Sequence, residues 1–139
     1  MIKLVLGTKG RGKTKYMLES ANADGKTCDG IVVYLDKDSE HMFQLDRAIR
    51  LINAKEFPIG DLNALLGFVS GLVAGNSDIE KIYFDSFLIL GEVDKADVNE
   101  AVKKLAILSD KLGVEFIVSV SVDETEISDD LKHNVTLAL

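Results

Sequence analysis

Tryptophan is absent from this chain, and cysteine and proline occur once each, as Cys28 and Pro58. A lone cysteine excludes an internal disulfide and any multi-cysteine metal site, so Cys28 reads as a small residue near a loop. The two histidines, His41 and His133, lack metal-ligand spacing, and neither is assigned a catalytic role. No positively charged leader followed by an apolar core opens the sequence, because a strand-like run starts at Ile2. Long hydrophobic runs are missing too. The most apolar segment, Leu62 to Ala74, is too short to span a bilayer and carries helical periodicity instead. Positive charge is in deficit, with a net charge of −7, which disfavours generic binding to nucleic acid or an anionic membrane. These absences predict a cytoplasmic protein with neither nucleic acid nor membrane as partner.

Against that acidic background, Lys9, Arg11, Lys13 and Lys15 crowd into one short stretch. Gly7-Thr8-Lys9-Gly10-Arg11-Gly12-Lys13-Thr14 fits the phosphate-binding loop pattern G-x-x-x-x-G-K-(S/T) at every fixed position. The chemistry needs these residue types. Glycines let the backbone fold so that successive N–H groups point inward at an oligophosphate. Lys13 reaches the terminal phosphates, and the Thr14 hydroxyl is placed to ligate Mg²⁺. A helix starting there adds the positive end of its dipole. Context supports the pattern, since Ile2 to Leu6 reads as a strand and Lys13 to Ala21 as a helical run. Thr8, Lys9, Gly10, Arg11, Gly12, Lys13, Thr14 and Lys15 are therefore the expected phosphate-binding residues.

At 139 residues, 47% hydrophobic and 28% charged, the chain has the length and composition of one globular domain over residues 1–139. After the first helix, Asn22 to Gly30 reads as a polar loop. Ile31 to Leu35 is a β-branched run suited to a strand buried on both faces. A helix capped by Asp38 or Ser39 is expected next, with Met42, Leu45 and Ala48 or Ile49 as its buried stripe. Ile49 to Ile52 fits a short extra strand equally well. Asp61 caps a helix with Leu62, Leu65, Leu66, Val69, Leu72 and Val73 at helical spacing. Gly67 and Gly71 within it cost about 1 kcal/mol each relative to alanine, a cost that close packing on the sheet would offset. Ile79 to Asp85 is a strand ending in an acid, Asp97 to Leu112 a helix, Val114 to Val120 a strand, Asp123 to Lys132 an acidic turn or short helix, and Val135 to Leu139 the last strand. Strands alternating with helices imply an α/β domain of three layers, with a mostly parallel sheet of about five to six strands and helices on both faces.

The chain resembles the P-loop NTPases over its whole length. The second motif of that family, an apolar strand ending in aspartate, is matched by Ile82-Tyr83-Phe84-Asp85, and the resemblance implies that Asp85 holds Mg²⁺ with Thr14. The D-x-x-G and N-K-x-D motifs of GTPases are missing, since Asp85-Ser86-Phe87-Leu88 lacks the glycine. With an additional strand, Ile31 to Leu35, between the two motifs, the sequence is similar to the RecA-like, additional-strand division, whose members mostly use ATP. It also resembles small stand-alone bacterial ATP-binding proteins, some loosely labelled twitching-motility proteins. A secretion or pilus ATPase carries a further domain for which these residues leave no room, and the motility association is unsupported.

The resemblance further implies a γ-phosphate sensor at the tip of the strand beside the P-loop strand. Ser119 and Ser121 stand there and are read as lying on alternating faces, so that only one can point correctly; Ser119 is the expected sensor, both being ordinary strand-end serines the alternative. Many relatives place a glutamate directly after the acid of the second motif to activate water. Here that position is Ser86. A substitute base would come from Asp36, Asp38, Glu40, Asp123 or Glu124, and Asp36 is the best placed, directly after a core strand. Arg47 and Arg50 are the only arginines outside the loop and read as surface groups, so slow intrinsic ATP hydrolysis is expected. The leading reading is thus a Mg²⁺-dependent ATP-binding protein, with ATP preferred over GTP, acting alone, with a protein partner or as a homo-oligomer. The alternatives are a small nucleoside or nucleotide kinase and a nucleotide-dependent switch that docks through Phe87-Leu88-Ile89-Leu90-Gly91.

Overall fold

The computed structural model describes residues 1–139. Six strands form one sheet: β1 (Ile2–Leu6), β2 (Ile31–Asp36), β3 (Ile49–Asn53), β4 (Ile79–Phe84), β5 (Glu115–Val120) and β6 (Val135–Ala138). Their order is β3-β2-β4-β5-β1-β6, and every neighbouring pair is parallel. Parallel strands must be covered on both faces, which is why β2 and β5 read as near-continuous apolar runs rather than alternating ones. The α/β layering expected from the sequence is therefore what the chain adopts.

The two faces are covered unequally. Helices α1 (Lys13–Thr27), α2 (Leu62–Gly75), α3 (Phe87–Leu90) and α4 (Val98–Leu112) connect the strands. The larger core combines Leu4 and Leu6 of β1, Val33 and Leu35 of β2, Ile82 and Phe84 of β4, and Phe116, Val118 and Val120 of β5 with buried residues of α2, α3 and α4. On the other face α1 alone supplies helical side chains, Met17, Leu18 and Ala21, against Val5, Val32, Tyr34, Ile49, Tyr83 and Ile117. Strand alternation carries a polar set onto this α1 face at every second position. Near the N-terminal ends, Lys81 bridges Asp24 and Glu115, and Glu115 also pairs with Lys3.

Several local expectations are corrected. Helix α1 does not stop at Ala21 but continues to Thr27. Asp24 anchors the additional turns by accepting from Lys81 Nζ at 3.0 Å and from the Tyr83 hydroxyl. The segment after β2 forms no α-helix, only a single 3₁₀ turn at Met42–Gln44, with Met42 and Phe43 exposed. Local bonds compete with a helix here. Asp38 Oδ1 accepts from Glu40 N, while Asn22 of α1 grips the Gln44 carbonyl and the Asp46 amide. Ile49 to Asn53 is the extra strand β3 at the sheet edge. Helix α2 starts as expected, with Asp61 Oδ1 accepting from Ala64 N at 2.8 Å. Gly67 and Gly71, however, do not pack on the sheet. Both are exposed, and a Cβ on either would meet nothing within 4 Å.

That exposure makes the two glycines an uncompensated weakness of α2. Gly67→Ala and Gly71→Ala are each expected to raise the unfolding free energy by about 0.5–1 kcal/mol. Gly30→Ala, whose Cβ would run into the Asp78 carbonyl, is expected to lower it by about 1–3 kcal/mol. Urea-denaturation midpoints of the three variants check both signs.

Candidate functional site

In an open parallel sheet, ligands bind beyond the carboxyl ends of the strands. Here those ends bring together Gly7 after β1, Asp36 at the end of β2, Asp85 after β4, and Ser121 after β5. Alternation decides which residues face the α1 side. Tyr34, Tyr83 and Ile117 pack under α1, so Asp36, Asp85, Ser119 and Ser121 lie on that same face, two or four positions further along.

The loop between β1 and α1 has the backbone its glycines permit. Gly10 and Gly12 sit in the left-handed region at φ 86° and 88°. Gly12 is also the residue that caps α1, and it contributes no side-chain acceptor to the first-turn amides. The helix N-terminus is thereby left open for an external acceptor. Lys13 folds back so that Nζ donates to the Thr8 carbonyl at 3.2 Å. Burial pushes its pKa below the ordinary lysine value, with Asp85 opposing the shift. It has no carboxylate within ion-pair distance.

Asp85 is 2% exposed and is held by its neighbours. Tyr34 donates to Oδ2 at 2.7 Å, Ser119 to Oδ1 at 3.1 Å, and Thr14 Oγ1 lies 3.4 Å from Oδ1. Ser119 also accepts from the Ser86 amide at 2.7 Å, which fixes the left-handed Ser86 backbone at φ 66°. The Tyr34 hydroxyl has its pKa pushed far up, first by burial and then by Asp85.

Asp36 is 1% exposed. Its Oδ1 accepts from the Lys37 amide at 2.8 Å, and its Oδ2 lies 3.0 Å from His41 Nδ1. Burial raises the Asp36 pKa, the His41 hydrogen bond works against that, and Asp85 adds to it. Burial alone would lower the His41 pKa, but the hydrogen bond and charge of Asp36 outweigh it, so the net shift is upward. Ligand atoms of Asp36, His41 and Asp85 all lie within 4.8 Å of one another.

A cleft of about 290 Å³ opens over the loop, lined by Lys9, Gly10, Gly12, Lys13, Thr14, Lys37, Asp85, Ser86, Ile89 and Ser121. Most of the expected loop residues thus meet Asp85 at one cavity. Thr8 contributes through its carbonyl. Arg11 instead turns along the loop, with Nε 3.4 Å from Thr8 Oγ1, and Lys15 lines a neighbouring hollow with Thr14 and His41. Ser119, the expected phosphate sensor, is fully buried against Asp85 and does not line the cleft, whereas Ser121 does. Residues two apart share a face, so the pair does not lie on alternating faces, and Ser121 is one step closer to the opening. Asp36 does not itself line the cleft, whereas the next residue, Lys37, does.

Lys37 and His41 are the residues that the sequence reading passes over. Lys37 was readable as the cation directly after the strand-end acid. His41 had no signal, because the spacing predicts a helix after β2, whereas its approach to Asp36 occurs in a segment that forms only a 3₁₀ turn. Arg47 and Arg50 line a larger hollow of about 680 Å³ beside β3, with exposed Met42 and Phe43. It shares no residue with the loop cleft and contains no buried acid or base, so size alone does not mark the site. In the apolar run after Asp85, Phe87 and Leu90 are buried and Ile89 is 57% exposed, leaving one side chain rather than a docking surface.

No family model and no curated protein matches this chain. No helix is long and apolar enough to cross a membrane.

Two expectations follow from the hydrogen bonding. Tyr34→Phe removes the donor to a buried carboxylate oxygen and is expected to cost about 1–3 kcal/mol of stability, read by denaturant unfolding. The raised His41 pKa gives a contribution that is fully present below the unfolded value of about 6.5. It is lost as pH rises through the folded value. The stability gap between wild type and His41→Gln is therefore expected to be wider near pH 6.5 than near pH 9, and an equal gap would contradict the Asp36–His41 pairing.

Proposed function

We propose that this protein binds Mg·ATP in the loop cleft and hydrolyses it slowly, as a P-loop NTPase of the additional-strand type. The observation that carries the reading is the convergence of Lys13, Thr14 and Asp85 at one cleft on the open N-terminus of α1. The donor set suits an oligophosphate. Amides at Gly10 and Gly12, a lysine satisfied only by a carbonyl, and two further lysines, Lys9 and Lys37, meet in a chain of net charge −7. Such local cation density attracts a polyanion that the rest of the surface repels.

Thr14 Oγ1 and Asp85 Oδ1 are a hydroxyl and a carboxylate of the kind Mg²⁺ takes directly or through water. When bound, the metal would offset charge on the β- and γ-phosphates. Lys13 would exchange its Thr8 carbonyl for phosphate oxygens, and Ser121, on the cleft wall, would donate to the terminal phosphate. Asp36 is the proposed proton acceptor, oriented by His41 and by the Lys37 amide. The strand that stands between β1 and β4 is β5, not the Ile31–Leu35 strand β2 singled out from the sequence, and that separation of the loop strand from the Asp85 strand supports the additional-strand assignment. ATP rather than GTP is proposed because the guanine-reading motif is absent.

Lys13→Ala is expected to abolish binding of a fluorescent ATP analogue in Mg²⁺ and, with it, phosphate release; retention of both would overturn the reading. Asp36→Asn is expected to lower kcat by about 10²-fold or more while leaving analogue affinity within a few-fold. A parallel loss of affinity would place Asp36 in binding rather than proton transfer.

A further inference from the structure

Strand β3 ends the sheet with one side of its backbone unused. It pairs with β2 along its whole length, Ile49 to Asn53, and with no other strand. No backbone hydrogen bond outside that ladder uses an amide or carbonyl of Arg50, Leu51 or Ile52. Proteins blunt such edges with proline, charge, a bulge or a cover. Here the strand reads Ile-Arg-Leu-Ile-Asn, with no proline and a single charge, and its register with β2 runs without a bulge.

The hollow of about 680 Å³ lies along this edge. Leu51, from the α1 side of the sheet, and Ile52, from the opposite side, both line it. The hollow therefore follows the open edge instead of entering either layer. Three of the seven large apolar side chains left exposed stand in it: Met42 at 46%, Phe43 at 92% and Phe57 at 41%. Phe57 is anchored by Phe68 of α2, with ring centroids 4.9 Å apart.

The charges of the hollow are ordered along the strand. Arg47 and Arg50 lie at the start of β3, and Glu56 lies beyond its end. None of the three has an opposite charge within ion-pair distance. The two arginines are unpaired in a chain of net charge −7, and a groove positive at one end and negative at the other fixes the direction of what fits it.

We propose that β3 is a docking edge for an extended segment of a partner protein, which adds to the sheet antiparallel to β3, the more stable pairing per residue. The segment has an apolar middle with an aromatic residue, an acid at its C-terminal end opposite Arg47 and Arg50, and a base at its N-terminal end opposite Glu56. Main-chain bonds to β3 give affinity, and the apolar walls and the charge order give specificity. A second copy of this chain is the poorer occupant, because antiparallel pairing of two β3 strands about Leu51 sets Arg47 against Lys55 and Asp46 against Glu56. The edge shares no residue with the loop cleft, and the proposal does not rest on the nucleotide reading.

The probe is the peptide acetyl-Lys-Thr-Val-Phe-Thr-Val-Glu-amide, titrated into isotope-labelled protein. Saturable amide shifts are expected at Arg50, Leu51, Ile52 and Phe57. The same peptide with its lysine and glutamate exchanged is expected to bind about tenfold more weakly, and Arg50→Glu to shrink or reverse that preference. Replacing both threonines by proline, which removes one amide from each edge of the peptide, is expected to abolish the shifts. Phe43→Ser, at an exposed position, is expected to weaken binding several-fold. Equal affinity for the two charge orders, binding by the proline peptide, or shifts centred on Gly10, Gly12 and Lys13 would each overturn the proposal. A dimer in sedimentation velocity that the peptide cannot dissociate and that Phe43→Ser abolishes would overturn it in favour of a second copy.

Discussion

A carboxylate with almost no contact with solvent must be supplied with donors, and Asp85 draws them from three different elements. Thr14 comes from the first turn of α1, Tyr34 from β2 and Ser119 from β5, while Asp85 itself continues β4. Each bond alone is modest, but leaving the carboxylate oxygens unpaired in this setting would cost more than any one bond contributes. The consequence is positional. The phosphate-binding loop, the strand carrying Asp36 and the strand that leads into Ser121 are registered against one another through a single side chain. Asp85 also accounts for the tyrosine at position 34 in an otherwise aliphatic strand: β2 needs a donor there that reaches past the backbone while its ring stacks on Tyr83, 5.8 Å away.

The two faces of the sheet divide the work of stability and chemistry. Helices α2 and α4 close one face with a large apolar cluster that contains no buried acid. The α1 face gives up part of its apolar area to Tyr34, Tyr83, Asp36, Asp85 and the Lys81 bridges. Its polar groups are satisfied rather than sparse, and no buried side-chain polar atom lacks a partner. A parallel sheet can afford such a face because the other one holds the larger core.

Much of this architecture is legible in the sequence, and the reasons for the misses are physical. The runs Ile31 to Leu35 and Val114 to Val120 are too short and too β-branched for helices, so their strands were readable. The loop Gly7 to Thr14 was readable because few residue types permit its backbone. The length of α1 was not, because the bonds that hold its last turns to the sheet come from Lys81 and Tyr83, far along the chain. The 38–48 segment has helical spacing of apolar residues, yet local side-chain bonds and the grip of Asn22 override it. Gly67 and Gly71 show the opposite limit: spacing cannot say whether a small residue is small because something presses on it. Ser119 and Ser121 share a face, and only the depth of the strand end within the sheet separates the one that serves Asp85 from the one that reaches the cleft. His41 lies beyond any local rule.

The place of β1 in the sheet has a consequence for how the protein is made. This first strand pairs with β5 and β6 and with no other. Both partners are encoded more than a hundred residues later than most of it, so during synthesis the chain that carries the phosphate-binding loop emerges with nothing to pair with. Strands β2, β3 and β4 can assemble among themselves beforehand. Contacts of such long range slow folding and leave apolar strands unpaired for longer. The loop, made well before the strands that pair with β1, is therefore among the last parts of the molecule to acquire its shape.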